Sequence, residues 1–154
     1  MEHLHHHHTI TKQGEPGNFQ LALSATLHCL LGCGLGEVAG MAIGTALGWD
    51  NMQQMILAIV LGFVAGFGLG LVPLLRARFS FKRAFKQVLI AEGLSIVVME
   101  TAEVMTQVYT PGVMHAQITD TIFWTGMVLS LIAGFIAAFP INYFMVKKGH
   151  THSH

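Results

Sequence analysis

A histidine, two cysteines and a carboxylate stand together in LHCLLGCGLGE, from Leu27 to Glu37, inside an otherwise apolar run. At 100° per residue, Cys29, Cys33 and Glu37 form an i, i+4, i+8 stripe covering about 80° of a helix, with Gly36 and Gly40 on nearly the same arc. His28 sits about 100° to one side. Thiolates with an imidazole suit copper(I) or zinc, held by two to four ligands at about 2.0 to 2.3 Å. The expected metal set is therefore His28, Cys29, Cys33 and Glu37. A disulfide between the two thiols is disfavoured, because residues one turn apart on a helix carry nearly parallel Cβ bonds.

A second group lies in AEGLSIVVMETAEVMTQ, which brings Glu92, Glu100 and Glu103 into another apolar segment. Glu92, Met99 and Glu103 fall within about 40° of one another on a helix, with Gln107 and Glu100 close by, so one face is acidic. Charged carboxylates cost about 2.5 to 3.5 kcal/mol each at mid-membrane, and no lysine or arginine lies at their depth to pair with them. Protons, water or a bound cation must meet them. The three glutamates are expected to line a path for the cation, or for the protons that thiolate ligation releases.

These residues need elements that hold them in lipid. The 154-residue chain is 53% hydrophobic and 10% charged, with a mean hydropathy of +0.57. Four apolar segments, about 21–47, 55–75, 88–109 and 121–146, each reach the roughly 20 residues that cross a bilayer. The expected fold is all-α, an integral membrane bundle of four transmembrane helices filling residues 19–149. A His-rich polar tail, 1–18, precedes it and a His-containing tail, 150–154, follows. Such tails either gather divalent metal or are functionally idle, a remnant of tagging included. The polar first 18 residues contain no cleavable signal. The expected partners are the lipid bilayer, a metal ion and, through self-association, a homo-oligomer; no nucleic acid is expected.

Every lysine and arginine falls in one of three places: Lys12, the cluster Arg76, Arg78, Lys82, Arg83 and Lys86, and the pair Lys147 and Lys148. The connections GWDNMQQ and TPGVMHAQITD have none. Positive charge stays inside, so both termini are expected in the cytoplasm. Glycines recur every four residues at Gly32, Gly36, Gly40 and Gly44 in the first segment and at Gly62, Gly66 and Gly70 in the second. In lipid, helices associate through close backbone contact, and these ladders read as packing seams, within the chain or between protomers. Pro73 and Pro140 read as kinks or end signals near the inner ends of the second and fourth segments.

HCLLGCGLGE and FPINYFMVKKG resemble two signatures of a family of small bacterial integral-membrane proteins classed only as a domain of unknown function. Its first helix carries H-C-x-x-G-C-x-x-G-[DE], and its last ends in P-x-N followed by basic residues. The resemblance covers roughly Ala22 to Gly149. It implies the bacterial inner membrane and heavy-metal or copper handling, with no settled activity. The functional expectation is a protein that binds copper(I) or zinc between the first and third segments, in metal transport or homeostasis. Two alternatives stand beside it: a non-transporting oligomeric scaffold or sensor, and a membrane thiol oxidoreductase, which alone of the three would be an enzyme.

Overall fold

The computed structural model describes residues 17–151, and among them every regular element is helical. Five α-helices follow in order: α1 (Asn18–Ala46), α2 (Asn51–Arg76), α3 (Phe81–Ala91), α4 (Gly93–Tyr109) and α5 (Thr121–Thr151), with a 3-10 turn at Val113–His115 between α4 and α5. The N-terminal histidines and the side chains of the C-terminal ones lie outside the described residues.

α1 and α2 form a tight antiparallel hairpin. Gly48, at φ +69°, closes α1, with the Trp49 and Gly48 amides returning to the Gly44 and Thr45 carbonyls. This is the double hydrogen bond of a Schellman ending. Asp50 then caps α2: its Oδ1 accepts the amides of Met52 and Gln53 at 2.9 and 3.1 Å, while Gln53 Oε1 accepts the Asp50 amide at 3.2 Å. That reciprocal cap starts α2 four residues earlier than the apolar pattern implies. The glycine ladder of α1 lies along this hairpin. A Cβ on Gly32 would stand 2.8 Å from the Gly66 Cα, and one on Gly36 or Gly40 would overlap the backbone of Leu61 or Ala58. Gly44 abuts the Gln54 side chain. These seams join helices of one chain.

The expected continuous helix over 88–109 is two elements. Glu92, at φ −121° and ψ −21°, divides α3 from α4, although the Ile96 amide still reaches the Glu92 carbonyl at 2.9 Å. Sequence makes the two halves different: α4 is mainly apolar outside its acidic face. α3 carries Lys82, Arg83 and Lys86 beside exposed Phe81, Phe85 and Leu89, with Ala84 and Val88 buried. That is the pattern of a helix lying along an apolar–water boundary. Neither proline ends its helix, since α2 continues past Pro73 to Arg76 and α5 past Pro140 to Thr151.

α5 packs on both α1 and α4, placing α1 and α4 across the bundle from each other. On α5 the residues Gly126, Ser130, Gly134, Ala138 and Asn142 are all buried, a row of mostly small side chains every four positions. Asn142 Nδ2 donates to Thr26 Oγ1 at 2.8 Å, tying α5 to α1. The molecule is apolar outside and polar within. Leu27, Leu31, Leu35, Val60, Val64, Ile132 and Ile136 are exposed, whereas Glu37, Ser95, Glu100, Glu103 and Ser130 are buried. Among the described residues, three helices, α1, α2 and α5, are long and apolar enough to cross a membrane.

Candidate cation site

The centre of the bundle holds three carboxylates. Glu37 from α1 and Glu100 and Glu103 from α4 each offer one oxygen, and these oxygens lie within 4.8 Å of one another. All three residues are buried, Glu103 completely. Gln107, one turn beyond Glu103, donates from Nε2 to Glu37 Oε2 at 3.2 Å and, more weakly, to Ser130 Oγ at 3.4 Å. Ser130 Oγ donates in turn to the Met127 carbonyl at 2.8 Å. Glu103 shares a hydrogen bond with the Glu37 carboxylate and Glu100 one with the Cys33 thiol, so each contact depends on a proton held between the two groups, while Ser95 Oγ has no hydrogen-bond partner.

Glycines make room for these groups. A Cβ on Gly62 would stand 2.5 Å from Glu100 Oε1, and one on Gly134 would stand 2.5 Å from Glu103 Oε1. A Cβ on Gly70 would collide with Glu92 Oε2. Gly62 and Gly70, expected as packing positions, thus serve carboxylates of the α3–α4 segment. Gly134 and Ser130 belong to the site although the motif reading does not single them out for it, and Gln107 joins it from the acidic face where the sequence places it. The signal for Gly134 and Ser130 is the four-residue small-side-chain row of α5.

The thiols lie further along the same axis. Cys29 Sγ faces Glu92 Oε2 at 3.9 Å, a weak contact. Cys33 lies against Gly66, Ile96 and Glu100. Around both cysteines the packing is apolar, with Ile96, Met99 and Ala138 buried and Phe63 and Phe67 partly so. Equal depth on α1 and α4 brings Cys29 to Glu92 and Glu37 to Glu100, as two helices running the same way require.

The expected set His28, Cys29, Cys33 and Glu37 does not converge. Among the described residues, the group of histidine, cysteine and acidic side chains whose ligand atoms meet is Glu37, Glu100 and Glu103. His28 is exposed at the edge of α1, near enough to Glu92 to interact with its carboxylate but away from the Glu37 cluster. The physical reason is rotation: one residue after Leu27 and one before Cys29, it points about 100° away from the buried stripe. Cys29 and Cys33 are both free thiols.

What these features define is a class: an all-helical bundle with helices able to cross a membrane and an acidic cluster at its heart. Within it, the chain belongs to the family described as domain of unknown function DUF4396, whose profile matches residues 18–151. No curated protein and no solved structure matches the chain.

Proposed function

We propose that this is a four-span membrane protein of the bacterial inner membrane that binds a metal cation, zinc or copper(I), between α1 and α4 and conducts it across the bilayer. The observation that carries this reading is the cluster of three buried carboxylates whose oxygens lie within 4.8 Å of one another. An unsatisfied buried polar group costs about 1 to 3 kcal/mol. A cation, or protons exchanged against it, removes that cost.

The donors fall along one axis: Glu37, Glu100 and Glu103 at mid-bundle, then Cys33, then Cys29 beside Glu92. Carboxylate oxygens and thiolates together fit zinc, which accepts both. Thiols favour copper(I) at the cysteine end. In this reading the fourth span is α4, whose 17 residues rise about 26 Å, nearly the thickness of the hydrocarbon. α3 lies in the cytoplasmic interface with its basic residues toward the headgroups, and both termini are cytoplasmic.

The test is zinc flux into sealed vesicles reconstituted with the full-length chain. Glu37→Gln, Glu100→Gln and Glu103→Gln keep size and hydrogen-bonding capacity while removing ionisation. Each is expected to assemble normally and to lose flux. Intact flux in all three would sink the conduction reading and leave the scaffold.

A further inference from the structure

A cavity of about 40 Å³ lies between the α1–α2 hairpin and the turn that follows α4. Met41 of α1, Met55 of α2, Met114 of the 3-10 turn and Met127 of α5 line it, and Glu37 and Gln107 form its polar wall. Four of the nine methionines in the chain thus meet around one space. Glu37 and Gln107 join it to the carboxylate cluster, because they hydrogen-bond each other at the boundary. The turn is fixed over the cavity: Asn51 Nδ2 donates to the Met114 carbonyl at 2.9 Å, and Gln117 Nε2 donates to Asn51 Oδ1 at 3.4 Å.

Methionine in a core ordinarily fills irregular gaps, because its flexible chain adapts to them. Here four methionines, among the twelve residues that line the space, leave a gap of about 40 Å³ open. A water molecule needs about 10 to 15 Å³ of such space, so the cavity has room for a partly dehydrated ion. Thioethers are neutral, soft donors that need no deprotonation, unlike thiols, and they select copper(I) over hard cations. Glu37 offers a carboxylate oxygen on one side.

We infer that this cavity is a thioether site for a soft monovalent cation, copper(I), at the end of the donor axis remote from the cysteines. The inference rests on the conduction reading for its purpose and names the metal class, but the binding can be tested apart from it. The probe is silver(I), which has the same preference for soft donors and does not change oxidation state.

The experiment uses the full-length chain in detergent with the eight tail histidines replaced by alanine. Silver binding is titrated in that parent, in a Met41→Leu, Met55→Leu, Met127→Leu variant, in Glu100→Gln with Glu103→Gln, and in Cys29→Ser with Cys33→Ser. Leucine nearly preserves volume, so the bundle is retained. The methionine variant is expected to lose one equivalent that the other two keep. Unchanged binding in the methionine variant, or loss of that same equivalent in the glutamine variant, would overturn the site. A second measurement needs no substitution in the cavity: silver should protect Met41, Met55 and Met127 from peroxide oxidation, leaving the exposed Met52 and Met105 unprotected. Absence of selective protection would also overturn it. Failure of conduction alone would leave both silver results standing.

Discussion

The side chain of Glu103 has no exposed surface, and its Oε1 and Cγ occupy the space where a Cβ on Gly134 would stand, at 2.5 and 2.7 Å. A methyl group there must push a carboxylate that helices already enclose. Gly134→Ala is therefore expected to destabilise the protein by about 1 to 3 kcal/mol, as overpacking does. Gly68→Ala, with nothing within 4 Å of the added carbon, should not. Thermal unfolding in detergent measures both. Adding Glu103→Ala should recover most of the loss at Gly134, a coupling that a double-mutant cycle isolates; equal effects of the alanine at 134 with and without Glu103 would refute the notch. Glu103 itself is legible in the sequence as one of a set of acids on an apolar helix. Its partner is not, because a glycine in a membrane helix has the same appearance whether it faces another backbone or a carboxylate.

Helix ends supply a contrast between two identical hydrogen-bond patterns. At the end of α2 the Arg78 and Phe79 amides return to the Leu75 and Leu74 carbonyls, the same ending that Gly48 makes for α1. Arg78 adopts it at φ +63°, where a side chain costs about 1 to 2 kcal/mol. Arg78→Gly should raise stability by about 1 kcal/mol in an unfolding measurement, and Asp50→Ala should lower it by about 1 kcal/mol through loss of the α2 cap. The division at Glu92 makes a further element-scale prediction. In a Cys29→Ser, Cys33→Ser chain, a fluorophore at residue 85 should be quenched by lipids labelled near the headgroup, and one at residue 97 by lipids labelled deep in the acyl chains. The same depth for both would return 88–109 to a single span with 81–87 beside it. Val88 to Ala91, the apolar end of α3, lead directly into the apolar start of α4, so hydropathy alone runs across the division.

For the whole molecule, the proposed sidedness rests on the seven described lysines and arginines, all between Arg76 and Lys86 or at Lys147 and Lys148. A reporter fused after His154 should be cytoplasmic and one inserted near Asn51 external. The reverse result would put the methionine-lined cavity on the inner side and the cysteines on the outer. The hairpin of α1 and α2 separates an internal seam from an oligomer interface, since Gly36 and Gly40 already touch the α2 backbone. Gly36→Leu should then abolish folding of the monomer itself, visible as loss of a monodisperse species at every protein concentration; a variant that folds and only loses self-association would point to a protomer interface.

The sequence by itself determined the apolar segments, the clustering of the basic residues, the buried stripe Cys29, Cys33 and Glu37 and the acidic face of Glu100 and Glu103. Length, composition and rotation per residue are local properties, and each helix expresses them independently of its neighbours. Only the tertiary structure decided which donors meet. Rotation assigns Cys33 and Glu37 to one arc of α1, but the notches at Gly62 on α2 and Gly134 on α5 admit Glu100 and Glu103, and these lie far away in sequence. The carboxylates therefore converge while the thiols remain among Ile96, Met99 and Ala138. The cavity is likewise tertiary, because it exists only where the turn after α4, held by Asn51, closes over methionines drawn from three helices.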